Sequence, residues 1–283
     1  MSLIKPKRIE ERILNYLKNG PVSTIKIVET IKSARPGTTK QAVYTALRGL
    51  KQEEAIVTAN GTVALNITWV NQMTAYFDVA RTSYCHDETR GSFLGLKDQE
   101  KIRYFFKDAR RADIFWTHAY FLLLETLDPG EPVFLYNPHE WFLLARTANE
   151  KLVIASTIQA GHPFLVTTGG RTFLDKYVRT YFDGDMSQYN MLAFPIHKEN
   201  YYINIFGDFI IEVWLDKEVT ARIEKLYKET SAWEEPLTRQ FGEILELGGQ
   251  MKMLISRNHR KAKNLKRTLQ KGFALSKSKN SLI

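Results

Sequence analysis

The chain has 283 residues, of which 44% are hydrophobic, 12% aromatic and 25% charged. At about 100–200 residues per domain this length allows two domains, and the composition excludes a mainly disordered chain. No apolar run approaches the ~20 residues of a membrane helix and residues 1–11 lack the apolar core of a signal peptide, so a soluble, cytoplasmic protein with no membrane partner is expected. A lone cysteine, Cys85, excludes an intrachain disulfide and a cysteine zinc cluster. Its neighbour His86 would complete a nucleophile pair only if the two side chains converged; consecutive residues of a strand face opposite ways, and an incidental thiol is the reading taken.

The net charge of +9 is unevenly spread. Residues 1–66 hold 11 basic and 5 acidic residues, and residues 250–283 hold 10 basic and none acidic, which leaves 67–249 at −7. Two basic ends flank an acidic body. Such segments are the footprint of a polyanion partner, because each neutralised phosphate releases condensed counterions, although a solvated charged tail has the same composition.

In chain order, Ile9, Ile13, Leu14 and Leu17 predict a first helix closed by Asn19-Gly20. A second follows Pro21, with Ser23 as cap and Ile25, Val28 and Ile31 on one face, up to the turn Arg35-Pro36-Gly37. Thr38 or Thr39 caps a third, whose apolar stripe is Val43, Ala46, Leu47 and Leu50. Asn60-Gly61 between two short β-branched runs, 56–59 and 62–65, predicts a hairpin with a type I′ turn.

Three short helices followed by a hairpin resemble the winged helix-turn-helix domain of bacterial and archaeal transcription regulators, over residues of about 6–66. The resemblance implies that the third helix enters the major groove of double-stranded DNA. Its face opposite the apolar stripe carries Thr39, Lys40, Gln41, Tyr44, Thr45 and Arg48, and Asn60 sits at the wing tip. Gln pairs with adenine, Arg and Lys reach guanine or phosphate, and Thr touches a thymine methyl. Winged helices also serve as protein-interaction modules, so an exposed face of these residue types leaves that role open.

Beyond Ile67 the pattern predicts mainly helix to about Phe121, then strands at 132–136, 141–146, 151–157 and 163–167. A helix is expected at 172–182, strands at 191–196, 201–206 and 209–215, and a helix at 217–228. This is a mixed α/β body spanning 67–230 in a chain of α+β class. The segment "FPIHKENYYINIFGDFIIEVWLDKEVTARIEKLYKE" resembles the end of the phospholipase D-like effector domain of TrmB-like regulators, with Phe206-Gly207-Asp208 at its turn. Active phosphodiesterases of that fold need His-x-Lys; here Lys198 directly follows His197 and no second copy exists, so the resemblance implies a regulatory domain without catalysis.

Other chemistry is sparse. None of the six histidines lies three or four residues from another, which removes the helical zinc pair, and no metal or cofactor is expected. Thr168-Gly169-Gly170-Arg171 after an apolar run could cradle a phosphate or effector through backbone amides, Thr168 and Arg171, but an ordinary glycine turn accounts for the same residues. Asp183-Gly184-Asp185 lacks the further donors of a calcium loop. The aromatic group Tyr136, His139, Trp141 and Phe142 reads as core or interface.

Residues 231–283 predict a helical basic tail: a stripe from Leu237 through Phe241 and Met251 to Ile255, then a basic helix with Leu265, Leu269 and Phe273 on one face and a disordered end. The sequence thus describes a homodimeric DNA-binding regulator that is not an enzyme. Its body would sense a small-molecule or protein effector or dimerise, and the body or a helix over 237–255 would supply the dimer interface. An antitoxin or adaptor of a protein partner, and a nucleic-acid-processing enzyme using 168–171 or His197, are the alternatives.

Overall fold

The computed structural model describes residues 6–86, 93–192 and 198–274. Helices and sheets are both abundant, so the chain is α+β, and its contacts divide it into two units after His86.

The first unit runs α1 (Ile9–Leu17), β1 (Val22–Ser23), α2 (Thr24–Ala34), α3 (Lys40–Gln52), β2 (Ile56–Ala59), β3 (Thr62–Leu65) and α4 (Ile67–His86). Ser23 and Thr39 accept the backbone N–H groups of Lys26 and Ala42, which starts α2 and α3 where these caps stand in the sequence. Ile13, Leu17, Ile27, Val43, Leu50 and Val63 are sealed in one core. The three strands pair antiparallel in the order β1-β3-β2. Asn60 and Gly61 have φ of 49° and 76°, the left-handed pair that a type I′ turn demands. Thr24 donates its N–H and Oγ1–H to the Gly61 carbonyl at 2.9 and 3.0 Å, tying the hairpin tip to the head of α2.

Helix α4 groups with this unit, twenty residues past the boundary expected at 66. Asn66 explains why: its Nδ2 donates to the Glu54 carbonyl at 2.8 Å and its Oδ1 accepts the Thr68 N–H at 3.1 Å, while Trp69 packs against the first core. Val70, Met73, Phe77, Ala80 and Tyr84 recur along α4 at the 3-4-3-4 spacing of a coiled-coil seam. Phe77 and its edge-on neighbour Tyr76 are 59% and 66% exposed. Cys85 and His86 end α4, and their side chains lie outside the described residues.

The second unit contains β4 (Lys101–Asp108), α5 (Ala109–Leu124), β5 (Val133–Asn137), α6 (Trp141–Ala145), α7 (Thr147–Gln159), β6 (Phe164–Thr168), α8 (Phe173–Val178) and β7 (Ser187–Met191). It continues with β8 (Tyr201–Phe206), β9 (Phe209–Trp214), α9 (Lys217–Glu229), α10 (Pro236–Leu245), β10 (Gly248–Arg257) and α11 (His259–Leu269). The strands form one sheet in the order β4-β10-β9-β8-β5-β6-β7. Strands β5, β6 and β7 are mutually parallel and the other pairs antiparallel. The larger core, with Trp141, Tyr120, Phe206 and Phe241, fills one side of the sheet; α11 covers the other through Ala262 and Leu269 against Phe134, Ile203 and Ile210.

Several expectations are corrected here. Residues 101–108 form a strand, because Ile102, Tyr104 and Phe106 point inward at a period of two. The predicted strands at 141–146 and 151–157 are helices α6 and α7; their short apolar runs, Trp141–Ala145 and Leu152–Ala155, are ones that periodicity cannot tell from strands. The helix expected over 237–255 is α10 followed by β10, whose Met251, Met253 and Ile255 are buried in alternation while the strand sits between β4 and β9. Residues 231–274 are therefore part of the second unit's core and sheet rather than a separate tail, and the apolar side of α11 is already occupied. The strand predicted at 191–196 falls mostly outside the described residues. Among the described residues no helix is long and apolar enough to cross a membrane.

Candidate nucleic-acid interface and a buried polar cavity

Helix α3 buries Val43, Ala46, Leu47 and Leu50, and by helical geometry this turns Lys40, Gln41, Tyr44, Thr45 and Arg48 outward, where all five are exposed. The helix contains no acidic residue. Lys40 Nζ lies 5.8 Å from the centre of the Tyr44 ring, and Arg48 Nη2 donates to Thr45 Oγ1 at 3.3 Å, so the outward groups lean on one another along the helix. Thr39 is exposed, yet its hydroxyl accepts the Ala42 N–H at 3.1 Å; it acts as the helix cap. Asn60 is exposed at the hairpin tip. The six expected residues on or ahead of α3 thus share one surface of the first unit.

The second unit treats its expected phosphate loop differently. Gly169 and Gly170 donate their N–H groups to the Asn137 and Pro138 carbonyls at 3.2 and 2.9 Å, and Thr168 is buried with its hydroxyl donating to Pro138 at 2.8 Å. These donors are spent on an internal turn, as the glycine-turn reading requires, while Arg171 is exposed. Gly170 is needed for close approach, since a Cβ there would collide with the carboxylate of Asp175 and the ring of His139. Asp183 accepts the N–H groups of Asp185 and Ser187, both at 2.8 Å, and closes its own turn. His197 lies outside the described residues. Among those described, no cluster of three metal-ligating side chains occurs.

His139 is 7% exposed and held on both nitrogens: Nδ1 is 2.8 Å from Asp175 Oδ1 and Nε2 is 3.1 Å from Glu224 Oε1, with the Tyr227 ring 4.0 Å away. Burial disfavours the charged ring, but hydrogen bonds and charge from the two carboxylates outweigh it and push His139 up to about 9. An imidazolium clamped this way is a structural ion triad. It offers no free lone pair for base catalysis.

A second polar group was not legible as a site in the sequence. Between α5, α6, α7 and the sheet lies a cavity of about 50 Å³, walled by Trp116, Phe142, Ile154, Phe164, Tyr202 and Val213. Asp113, Asn137, Glu140, Glu150 and Asn204 open onto it. Arg146 pairs with Asp113, Asn137 Nδ2 donates to Glu140 Oε2, and Trp116 Nε1 donates to Asn204 Oδ1 at 2.6 Å. Glu150 is 6% exposed and its Oε1 has no hydrogen-bond partner among the described residues. Burial raises Glu140 to about 7 against the Asn137 hydrogen bond. Burial, with the charge of Glu140, raises Glu150 to about 8 against the pull of Arg146. The available signal was charge set into apolar text, Asp113 before Ile114-Phe115 and Glu140 before Trp141-Phe142.

Comparison with known proteins places the chain in no family: no family model matches it, and neither a curated protein nor a solved structure does.

Proposed function

We propose that the chain is a sequence-specific double-stranded-DNA-binding transcription regulator. Its first unit is read as a winged helix-turn-helix and its second as a non-catalytic, effector-sensing unit, and it works as a cytoplasmic homodimer. The observation that carries the reading is the outward face of α3, where Lys40, Gln41, Tyr44, Thr45 and Arg48 project together without an acidic residue. Base-edge donors and acceptors on a helix of a net-positive unit are what major-groove readout requires.

Selection of bound duplexes from a random library tests this. The wild type is expected to enrich a motif, while Gln41→Ala and Arg48→Ala each lose about 1–3 kcal/mol of specific affinity and relax one or two positions without changing the fold. A folded wild type that enriches no motif would move the protein-adaptor reading, in which the same face meets a protein, into first place.

One recognition helix covers too little DNA for a specific site, so a two-fold arrangement is needed. The 3-4 spacing of Val70, Met73, Phe77, Ala80 and Tyr84 on α4 suits a second copy of the same helix. Phe77→Glu is expected to weaken dimerisation by about 2 kcal/mol or more, read as a shift to monomer in sedimentation velocity. An unchanged dimer would place the interface elsewhere, and a wild type that is monomeric with and without DNA would refute the homodimer.

A further inference from the structure

We propose that the cavity between α5, α6, α7 and the sheet binds a small organic cation, an ammonium carried on a short apolar body, through the carboxylates of Glu150 and Glu140. The link between this ligand and transcription rests on the regulator reading above; the binding site itself does not.

The cavity's polar inventory is unbalanced toward acceptors. Three carboxyl groups, Asp113, Glu140 and Glu150, line it and no basic side chain is among the lining residues; Arg146, whose charge also reaches Glu150, pairs with Asp113. The Asn137 amide is turned to Glu140 and the Trp116 indole to Asn204, so both donate within the wall. What remains unclaimed is acceptor capacity, above all Glu150 Oε1, buried to 94% and without a partner among the described residues. A buried carboxylate oxygen left bare is costly, and a ligand that supplies N–H donors and positive charge removes that cost.

The remaining wall selects the ligand's other end. Trp116, Phe142, Ile154 and Phe164 present carbon surface, which favours a short alkyl body over a sugar or a polyol. A cavity of about 50 Å³ is about a third of the ~150 Å³ that takes benzene, so it suits a ligand of two or three heavy atoms. An anion finds no basic partner among the lining residues. A bare divalent ion would need a closer oxygen shell than these two carboxylates supply.

The test uses the full-length protein without DNA at about pH 9, above the values of Glu140 and Glu150, so that both are charged, and ethylammonium chloride as probe, with ethanol, sodium acetate and sodium chloride as controls at matched concentration. Thermal shift and calorimetry are expected to show saturable binding of ethylammonium about tenfold or more tighter than ethanol, and no effect of acetate beyond that of salt. Glu150→Gln keeps the cavity's shape and is expected to abolish the preference for amine over alcohol. Equal responses to amine and alcohol would overturn the proposal, because the cavity would then be only apolar. So would an amine response that survives Glu150→Gln, or a cavity that a crystal grown with the probe shows filled by water alone. Should the variant not fold, the amine-to-alcohol ratio in the wild type still decides. DNA binding is scored separately: a protein that takes the amine but selects no duplex keeps the cavity and loses the regulator reading, and the converse result does the reverse.

Discussion

Replacing His139 by alanine is expected to destabilise the protein by about 3–5 kcal/mol, the cost of breaking a buried ion pair by removing one partner. The ring lies between Asp175, which is fully buried, and Glu224, whose side chain is 13% exposed. Asp175 retains the N–H and hydroxyl of Thr172, both at 2.8 Å, on its other oxygen, but the oxygen facing His139 is left bare. Among the described residues Glu224 retains the pairing with Lys228, 3.6 Å away at the surface. The ring also fills the space beside Tyr227 and Gly170, so a cavity adds to the electrostatic loss. Chemical denaturation of wild type and variant at pH 7 checks this. A loss under about 1 kcal/mol at pH 7 would mean that water replaces the ring without penalty.

The first unit was legible because each of its elements is specified locally. Caps at Ser23 and Thr39, the Asn60-Gly61 turn, and apolar stripes at helical spacing act within a few residues of themselves, and the outward face of α3 follows from the same stripe. The second unit is specified by distant pairings instead. Strand β10 joins β4 and β9 from 140 or more and more than 30 residues away, and its Met251 and Ile255 fit a helical stripe as well as an alternating one. Only the intervening burial of Met253 separates the two patterns, and Gly248-Gly249 marks the point where α10 has ended.

The polar cavity was hidden for a related reason. Asp113, Glu140, Arg146 and Glu150 look in sequence like the solvated punctuation of apolar runs, since nothing local distinguishes a charge facing water from one folded inward. The packing of α5, α6 and α7 on one side of the sheet, with long-range strand order deciding which side, turns them toward one another. The basic face of α11 is the opposite case. Arg260, Lys263 and Arg267 stay exposed while Ala262 and Leu269 are buried, and the apolar face of the expected tail helix, with Leu265, Leu269 and Phe273, meets the sheet of its own chain.

Raising the pH from about 5 to 9 is expected to lower the melting temperature of the wild type, and Glu150→Gln is expected to flatten that fall. In the folded chain Glu140 and Glu150 are pushed up to about 7 and about 8, and His139 to about 9. A group whose folded value is raised contributes stability that is complete below its unfolded value and is lost as pH climbs through the folded one. For the two glutamates the loss begins near pH 4.5 and ends near 8; for His139 it runs from about 6.5 to 9, so all three act in the same direction. Glu224 is the counterweight. Burial would raise it, but His139 and Lys228 hold it below the usual carboxylate range, so its contribution is present above about 4.5 and lost in acid. The balance places maximal stability near pH 5. Glutamine at position 150 keeps the shape and removes the buried charge, so the variant should match the wild type near pH 4.5. At pH 8.5 it should exceed the wild type by on the order of 2–4 kcal/mol, since every tenfold change in proton affinity between the folded and unfolded chain is worth about 1.4 kcal/mol. His139 leaves a residual slope between about pH 7 and 9 in both proteins. Parallel melting curves for wild type and variant across this range would show that Glu150 reaches solvent or a counter-charge in solution, and would take from the cavity the bare carboxylate on which its cation preference depends.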